Sequence, residues 1–391
     1  MKIESVDFFY LSMPLVEDIG DGSQDATLVR VRAGGLEGWG ECEAAPLPTI
    51  AAYVCPMSHS ACKPIKASVE GMPLNEPDDI RRIAEKVHAN SFDLLQADHT
   101  LSGIDIALWD LLGKKLREPV YHLLGYKQAY PKTPYASQLF GDTPELTYKK
   151  AIQSRQSGYR AVKFGWGPIG KGDASEDAAH FRAAREGLGA DAYLMIDIGT
   201  VWGENVAAAR ERLHALNEVN AYWLEEPFVN MALGPYKQLS VSKPHVPLAA
   251  GEGCNNYVQA AAMLDYAGLG FIQIDTGRIG GITPAKRVAD EAAAKGITYV
   301  NHTFTSHLAL SASLQPYAGI EQDVICEYPV EPKQLALDIT AGRILPDTNG
   351  RILVPDAPGL GVEVQLQNLK EYIVDTEIRI NGRVVYRTPG L

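Results

Sequence analysis

The sequence lacks a paired-cysteine pattern. Its five cysteines (Cys42, Cys55, Cys62, Cys254 and Cys326) are odd in number, and none stands in a CxxC spacing, so neither a disulfide framework nor a zinc-thiolate site is indicated. No apolar run approaches the length of a membrane span. The N-terminal MKIESVDFFYLSMPL alternates as a strand does, without a charged head before a long apolar core. The expectation is a cytoplasmic protein with no membrane partner. Blocks of Lys and Arg are missing as well. The formal net charge is −12, and because phosphate backbones need clustered cations, a nucleic-acid partner is excluded. If the substrate is an anion, that field must be reversed locally, which a bound divalent cation does.

What is present is the material for a large core. Hydrophobic residues make up 46% and charged residues 21% of the 391, which are globular values. A strand-helix barrel takes roughly 250 residues, so a second unit must accompany one here. Residues 2–12 and 27–41 read as strands, with Gly34 and Gly35 at a hairpin turn. A helical part follows to about residue 124. It includes IRRIAEKVHAN and SGIDIALWDLLGKKL (102–116), in which Ile104, Leu108, Leu111 and Leu112 share a face while Asp105 and Lys114 stay polar. The domain expectation is an α+β unit over 1–125, a barrel over 126–350, and a C-terminal segment over 351–391 that packs back on the other two.

From about residue 130 short apolar strands alternate with amphipathic helices. The strands are expected at 160–164, 192–197, 221–226, 246–252, 270–275, 297–302 and 324–328. Near-continuous apolar strands separated by single helices mark a parallel sheet covered by helices, the α/β class. Each strand closes on a residue suited to chemistry: Lys163, Asp197, Glu225, Glu252, Asp275, His302 and Glu327. The steps between them run from 23 to 34 residues, about the length of one strand-helix unit. Active sites of such barrels sit at the C-terminal ends of the strands.

The residue types suggest a division of labour. Asp197, Glu225 and Glu252 would converge from neighbouring strands, and close anions are unfavourable unless a cation joins them. Oxygen ligands without His or Cys select Mg2+ over zinc or copper. Three carboxylates leave the site net negative even with Mg2+, so Lys163 helps to hold an anionic substrate. A proton alpha to a carboxylate is a very weak acid, and its removal needs positive charge where the enediolate forms. His302 would be the base, with Asp275 fixing its tautomer. His307, five residues on, is the competing base or a helix cap. Glu327 either orients an intermediate or makes a structural ion pair, and Trp166 either lines the pocket or packs under a loop. Singly, each strand-end acid would be a cap or a surface ion pair; the recurrence argues otherwise.

The same residues carry a resemblance. SGIDIALWDLLGKKLREPVYHLLG, the Asp197 strand, WLEEP (223–227), AAGEG (249–253) and IDTGRIGGIT (274–283), with His302 placed 27 residues after Asp275, resemble in order and spacing the mandelate racemase branch of the enolase superfamily. The resemblance implies a modified (β/α)7β TIM-like barrel under an N-terminal α+β capping domain. It also implies Mg2+ on Asp197, Glu225 and Glu252, and specificity loops near 15–25 and 42–60. The protein is expected to be a homo-oligomer, since such barrels commonly associate. Two departures narrow the chemistry. Where racemases of this branch carry Lys-x-Lys, this sequence has Lys163-Phe164-Gly165, and Gly165 cannot move a proton. Asp275 replaces the lysine used by muconate-cycloisomerase-like and dipeptide-epimerase-like members. A one-base dehydration of an aldonate or aldarate to a 2-keto-3-deoxy acid is the implied reaction, with His302 also a candidate to protonate the departing hydroxyl. The alternatives are a hydroxy-acid racemase or epimerase, and a non-catalytic carboxylate-binding or structural member of the fold.

Overall fold

In the computed structural model, which describes residues 1–242, 245–322 and 325–390, the chain opens with a three-stranded antiparallel sheet. Its strands are β1 (Ser5–Ser12), β2 (Asp25–Ala33) and β3 (Leu36–Cys42), in the order β1-β2-β3. Helices α1 (Pro46–Val54), α2 (Lys66–Val69), α3 (Pro77–Asn90), α4 (Ala97–Leu116) and α5 (Val120–Leu123) follow. The long α4 lies directly on the sheet. A Cβ at Gly40 would stand 2.1 Å from the Gly103 carbonyl oxygen, so strand and helix meet backbone to backbone. Its opposite face meets the barrel, and α4 is therefore buried on nearly all sides from Ala97 to Gly113. Asp105, expected on a polar face, is buried accordingly. Its carboxylate accepts hydrogen bonds from the Thr283 N–H (3.1 Å) and hydroxyl across the junction. The heptad-like pattern alone could not show that two surfaces, not one, cover this helix.

The barrel strands are β4 (Thr133–Leu139), β5 (Ala161–Gly165), β6 (Tyr193–Asp197), β7 (Trp223–Glu225), β8 (Leu248–Ala250), β9 (Phe271–Asp275), β10 (Thr298–His302) and β11 (Ile325–Pro329). Between them run α6 (Pro144–Gln156), α7 (Ala174–Leu188), α8 (Val206–Glu218), α9 (Leu233–Ser240), α10 (Tyr257–Tyr266), α11 (Ile282–Lys295) and α12 (His307–Leu314). That is seven strand-helix units and a last strand, all ladders parallel, in the order β10-β9-β8-β7-β6-β5-β4-β11. The ring closes between β10 and β11 through a side chain. The Asn301 amide oxygen accepts from the Glu327 N–H at 2.9 Å, and its nitrogen donates to the Glu327 carbonyl at 3.4 Å. Strand β4 has no counterpart among the seven expected strands, because Pro131 and Pro134 flank and interrupt it and Ser137 and Gln138 dilute its apolar pattern. Val324, the first residue of the strand expected at 324–328, lies outside the described residues.

One inward residue from each strand forms an apolar floor: Tyr135, Ala161, Met195, Trp223, Ala249, Phe271, Val300 and Ile325. Side chains two positions further along a strand face the same way. Lys163, Asp197, Glu225, Gln273, His302 and Glu327 therefore form the layer above that floor, on the side toward the capping unit.

After α13 (Gln334–Asp338), the chain returns to the capping unit with the hairpin β12 (Glu377–Ile380) and β13 (Arg383–Arg387). The Tyr386 hydroxyl donates to the Phe8 carbonyl at 2.9 Å. Asp110 fastens three of these parts. Its carboxylate accepts from the backbone N–H of Trp39 (2.8 Å) and of Leu360 (2.9 Å) and from Lys114 Nζ (2.6 Å). Asp110→Ala would leave two buried N–H groups unpaired and remove the ion-pair partner of Lys114, which keeps only the Glu37 carbonyl (3.2 Å), so a loss of about 2–4 kcal/mol is expected. Urea denaturation checks it; a shift under 1 kcal/mol would show that the clamp contributes little. Among the described residues no helix is long and apolar enough to cross a membrane.

Candidate active site

The layer above the barrel floor is crowded with acids. Asp197 and Glu225 are register partners on β6 and β7. Lys163, from β5, reaches both: its Nζ is 2.6 Å from Glu225 Oε1, 3.5 Å from Asp197 Oδ2 and 2.9 Å from Glu327 Oε1. Trp223 Nε1 donates to Glu225 Oε2 at 2.7 Å, and the Gly199 N–H donates to Asp197 Oδ1 at 2.8 Å. Glu252 lies two residues past the end of β8 and contacts His302, with its Oε2 3.3 Å from Nε2. The other ring nitrogen, Nδ1, is 2.7 Å from Asp275 Oδ2, and Asp275 Oδ1 accepts from the Gly277 N–H at 2.7 Å. Glu327 Oε2 accepts from the Thr303 N–H at 2.7 Å, directly behind the histidine.

The electrostatics follow from burial. Withdrawal from water pushes the Asp197 carboxyl up to about 6, against the pull of Lys163. The same withdrawal, again opposed by Lys163 and reinforced by Asp197, Glu252 and Glu327, pushes Glu225 up to about 8. Burial works against the His302 cation, yet Glu252, Glu327 and Asp275 outweigh it and raise the ring to about 10. Burial also opposes the Lys163 charge, and Glu225 and Glu327 overcome it, holding the ammonium well above its ordinary value. Glu252 moves the other way: burial would raise it, but His302, Lys163 and Arg278 bring it below its ordinary value.

Five of the seven strand-end residues expected from the sequence, Lys163, Asp197, Glu225, His302 and Glu327, lie in one layer, with Glu252 and Asp275 reaching His302 from further along their segments. Lys163 stands between Asp197 and Glu225, while Glu252 leans to the histidine. Among the described residues, no three His, Cys, Asp or Glu side chains already surround a common point for an ion. The donor set fits a hard divalent cation by its chemistry. It consists of oxygen donors only, with two buried carboxylates, Asp197 and Glu225, that withdrawal from water raises above their ordinary values.

His307 stands apart. It begins α12, is buried, and its Nδ1 accepts from the Ile344 N–H at 3.3 Å, with its ring against Tyr328. Burial and Arg343 push it down to about 4. Because the folded value lies below the ordinary 6.5, the native state binds fewer protons than the unfolded chain. This histidine's contribution is complete above pH 6.5 and is lost as pH falls toward 4, by up to about 3 kcal/mol. His307→Gln, which keeps an acceptor for Ile344, is expected to lose less stability than the parent between pH 7 and 4.5 in thermal melts. Equal losses would show that His307 does not carry this acid sensitivity.

The layer opens into a cavity of about 260 Å³ whose walls include Ile19 to Gly22, Glu43, Gln138, Trp166, Arg278 and Phe304. Trp166 lines this cavity and remains 47% exposed, with its indole close enough to Gly20 that a Cβ there would come within 2.9 Å of it. A wider cleft of about 1120 Å³ lies beside Thr133, Tyr159, Arg160 and Glu331 and holds none of the strand-end acids. Glu43, Ser137 and Arg278 carry no distinguishing local signal in the sequence. Arg278 lies within IDTGRIGGIT (274–283), two residues past the Thr that follows Asp275, but its partner Glu43 is 235 positions away. Ser137, on the same face of β4 as Tyr135, lines the cavity, while the Gln138 side chain bonds Ser154 of α6 at 2.9 Å.

Residues 19–125 match the mandelate racemase / muconate lactonizing enzyme N-terminal domain, and residues 147–368 match the enolase C-terminal domain-like family. The chain is 28% identical to the D-galactarolactone cycloisomerase of Agrobacterium fabrum over 86% of its own length and 88% of that protein's. It is also 28% identical to the L-talarate/galactarate dehydratase of Salmonella typhimurium, over 75% and 70%. A crystal structure described as a predicted mandelate racemase from Rhodobacter sphaeroides superposes with a TM-score of 0.96 at 59% identity, over all of both chains.

Proposed function

From the premise that this chain belongs to the mandelate racemase / muconate lactonizing enzyme family of the enolase superfamily, we propose that it abstracts the proton alpha to a substrate carboxylate and dehydrates an acid sugar to a 2-keto-3-deoxy acid. Its relatives are enzymes that include dehydratases, cycloisomerases and racemases. The observation that carries the choice of dehydration is the one-sided base. His302 Nε2 faces the cavity with Nδ1 held by Asp275, while the position of a second base is Gly165. A Cβ at Gly165 would come within 2.7 Å of Asp197 Oδ2, so any longer side chain there displaces that carboxylate.

Superfamily members generally use Mg2+. Held by Asp197, Glu225 and Glu252, it would supply the positive charge that makes the α-proton acidic enough to remove. His302 must be neutral to take that proton. Once the Glu252 charge is satisfied elsewhere, the histidine loses a principal cause of its upward shift. In the reaction, the C2–H bond breaks and its proton passes to His302 Nε2, whose imidazolium is stabilised by Asp275. Lys163 holds the substrate carboxylate, and Glu327, 2.9 Å from Lys163 Nζ, orients that ammonium. The C3–O bond then breaks, the hydroxyl leaves as water with a proton from His302, and the enol ketonises.

The test is a library of aldonates and aldarates incubated with Mg2+ in D2O. Appearance of a 2-keto-3-deoxy acid supports dehydration. Deuterated, inverted substrate without keto acid would establish a racemase instead, and no turnover of any acid would favour a non-catalytic binding protein.

A further inference from the structure

Resting on the acid-sugar reading of this site, we propose that the pocket selects substrates with a single carboxylate and rejects diacids, because Glu43 of the capping unit occupies the cation that would receive a second carboxylate. Two cationic side chains with permanent charge line the cavity, Lys163 and Arg278. Lys163 stands among the acids of the barrel layer and, in the proposed reaction, is taken up by the carboxylate next to the reacting carbon. Arg278 reaches the wall formed by the capping unit, where three of its five N–H groups are taken and its charge is paired with Glu43. Its Nη2 donates to Glu43 Oε2 at 2.7 Å and its Nε to the same oxygen at 3.2 Å. Its Nη1 donates to the Glu252 carbonyl at 3.0 Å. Glu43 is fixed in turn, since its own N–H donates to the Gly277 carbonyl at 3.0 Å.

The rest of that wall is acidic. Asp21 lines the cavity beside Gly22, with its Oδ1 accepting from the Ser23 N–H at 2.9 Å. Asp25 lies behind, close enough to Glu43 that burial and this neighbour together push it up to about 6. The nearby Lys333 is paired with Glu17 at 2.5 Å. A substrate anchored by its carboxylate at Lys163 therefore presents its far end to Glu43 and Asp21, with Arg278 already neutralised. Hydroxyl groups suit such a wall, because carboxylate oxygens accept hydrogen bonds from them. A second carboxylate meets like charge in a partly desolvated space, where repulsion is poorly screened. At about 260 Å³ the cavity is also at the small end for ligand sites, which leaves little room for waters to separate the charges.

The deciding experiment is calorimetric binding to the Mg2+-loaded protein of acids matched in configuration, gluconate against glucarate and galactonate against galactarate. The parent is expected to bind at least one monoacid ten-fold or more tightly than its matched diacid. Glu43→Gln keeps the shape and frees Arg278, so it should erase at least ten-fold of that preference. Asp21→Asn should narrow it by a smaller factor, and serves if Glu43→Gln melts early. Diacids bound as tightly as monoacids by the parent, or a preference unchanged in both variants, would overturn the proposal. Selective binding without keto-acid product would sink the dehydratase reading and leave this one standing. Turnover of diacids at monoacid rates would do the reverse, and failure of every acid to bind would remove both.

Discussion

His302→Ala is expected to lower kcat on an active acid sugar by roughly 10³-fold or more, the upper part of the range that a positioned general base supplies. Mg2+ affinity should change little by comparison, because His302 is not among the residues that would hold the ion, while the metal-free protein should melt earlier, because the ring bonds to Asp275 and contacts Glu252. Asp275→Asn is the more discriminating partner. It keeps the shape, yet the amide can present either a donor or an acceptor to Nδ1 and no longer stabilises the imidazolium. A loss of about 10²- to 10⁴-fold follows. Exchange of the substrate α-proton in D2O should fall in parallel with kcat in both variants. Wild-type exchange in His302→Ala would remove this histidine as the base. Because the ring bonds to Asp275 while facing Glu252, the loss reports on the base only if the variant still binds Mg2+, which titration calorimetry measures directly.

The second large effect concerns stability. Lys163→Met is expected to destabilise the metal-free protein by about 3–5 kcal/mol, because it removes the cation compensating Glu225, Glu327 and Asp197, all of them buried. A well-packed methionine replaces the aliphatic stem, so the loss is electrostatic. The consequence is a linkage. If Asp197, Glu225 and Glu252 hold Mg2+, the ion should stabilise Lys163→Met more than the parent, since in the parent the ammonium already stands among the acids. Occupancy at 100 times the dissociation constant contributes about 2.7 kcal/mol. Thermal melts of both proteins with EDTA and with Mg2+ measure the difference. A metal-free Lys163→Met as stable as the parent, or an equal gain from Mg2+ in the two, would show that the lysine does not compensate this cluster. Activity should fall as well, because the substrate carboxylate loses its positive partner.

The strand-end positions were legible because a parallel strand shows its period plainly. Ala161 and Lys163, Met195 and Asp197, Trp223 and Glu225, Val300 and His302, and Ile325 and Glu327 are each two residues apart, so on these strands an apolar floor residue precedes a chemical one on the same face. Where that pattern was blurred, the reading failed. Strand β4 begins beside prolines and carries Ser137 and Gln138, so neither the strand nor the cavity wall made by Ser137 is legible in the sequence. The polar face assigned to α4 was wrong at Asp105 for a different reason. Helical periodicity reports how much of a helix is apolar, but it is silent on whether a second surface covers the remainder and brings a partner such as Thr283.

By itself, then, the sequence determined the class of barrel, the order of the chemical residues around it, and the pairing of Asp275 with His302 on adjacent strands, since all three depend on local period and unit length. Tertiary structure alone decided where the charges stand: Lys163 between Asp197 and Glu225, His307 buried against Ile344 and out of the cavity, and Glu43 closed onto Arg278 from 235 residues away. The physical reason is that an ion pair or a buried neutral ring depends on distance and dielectric, and both are set by how separate segments pack. Spacing along a chain carries that information only within one element or between neighbours of a regular ladder.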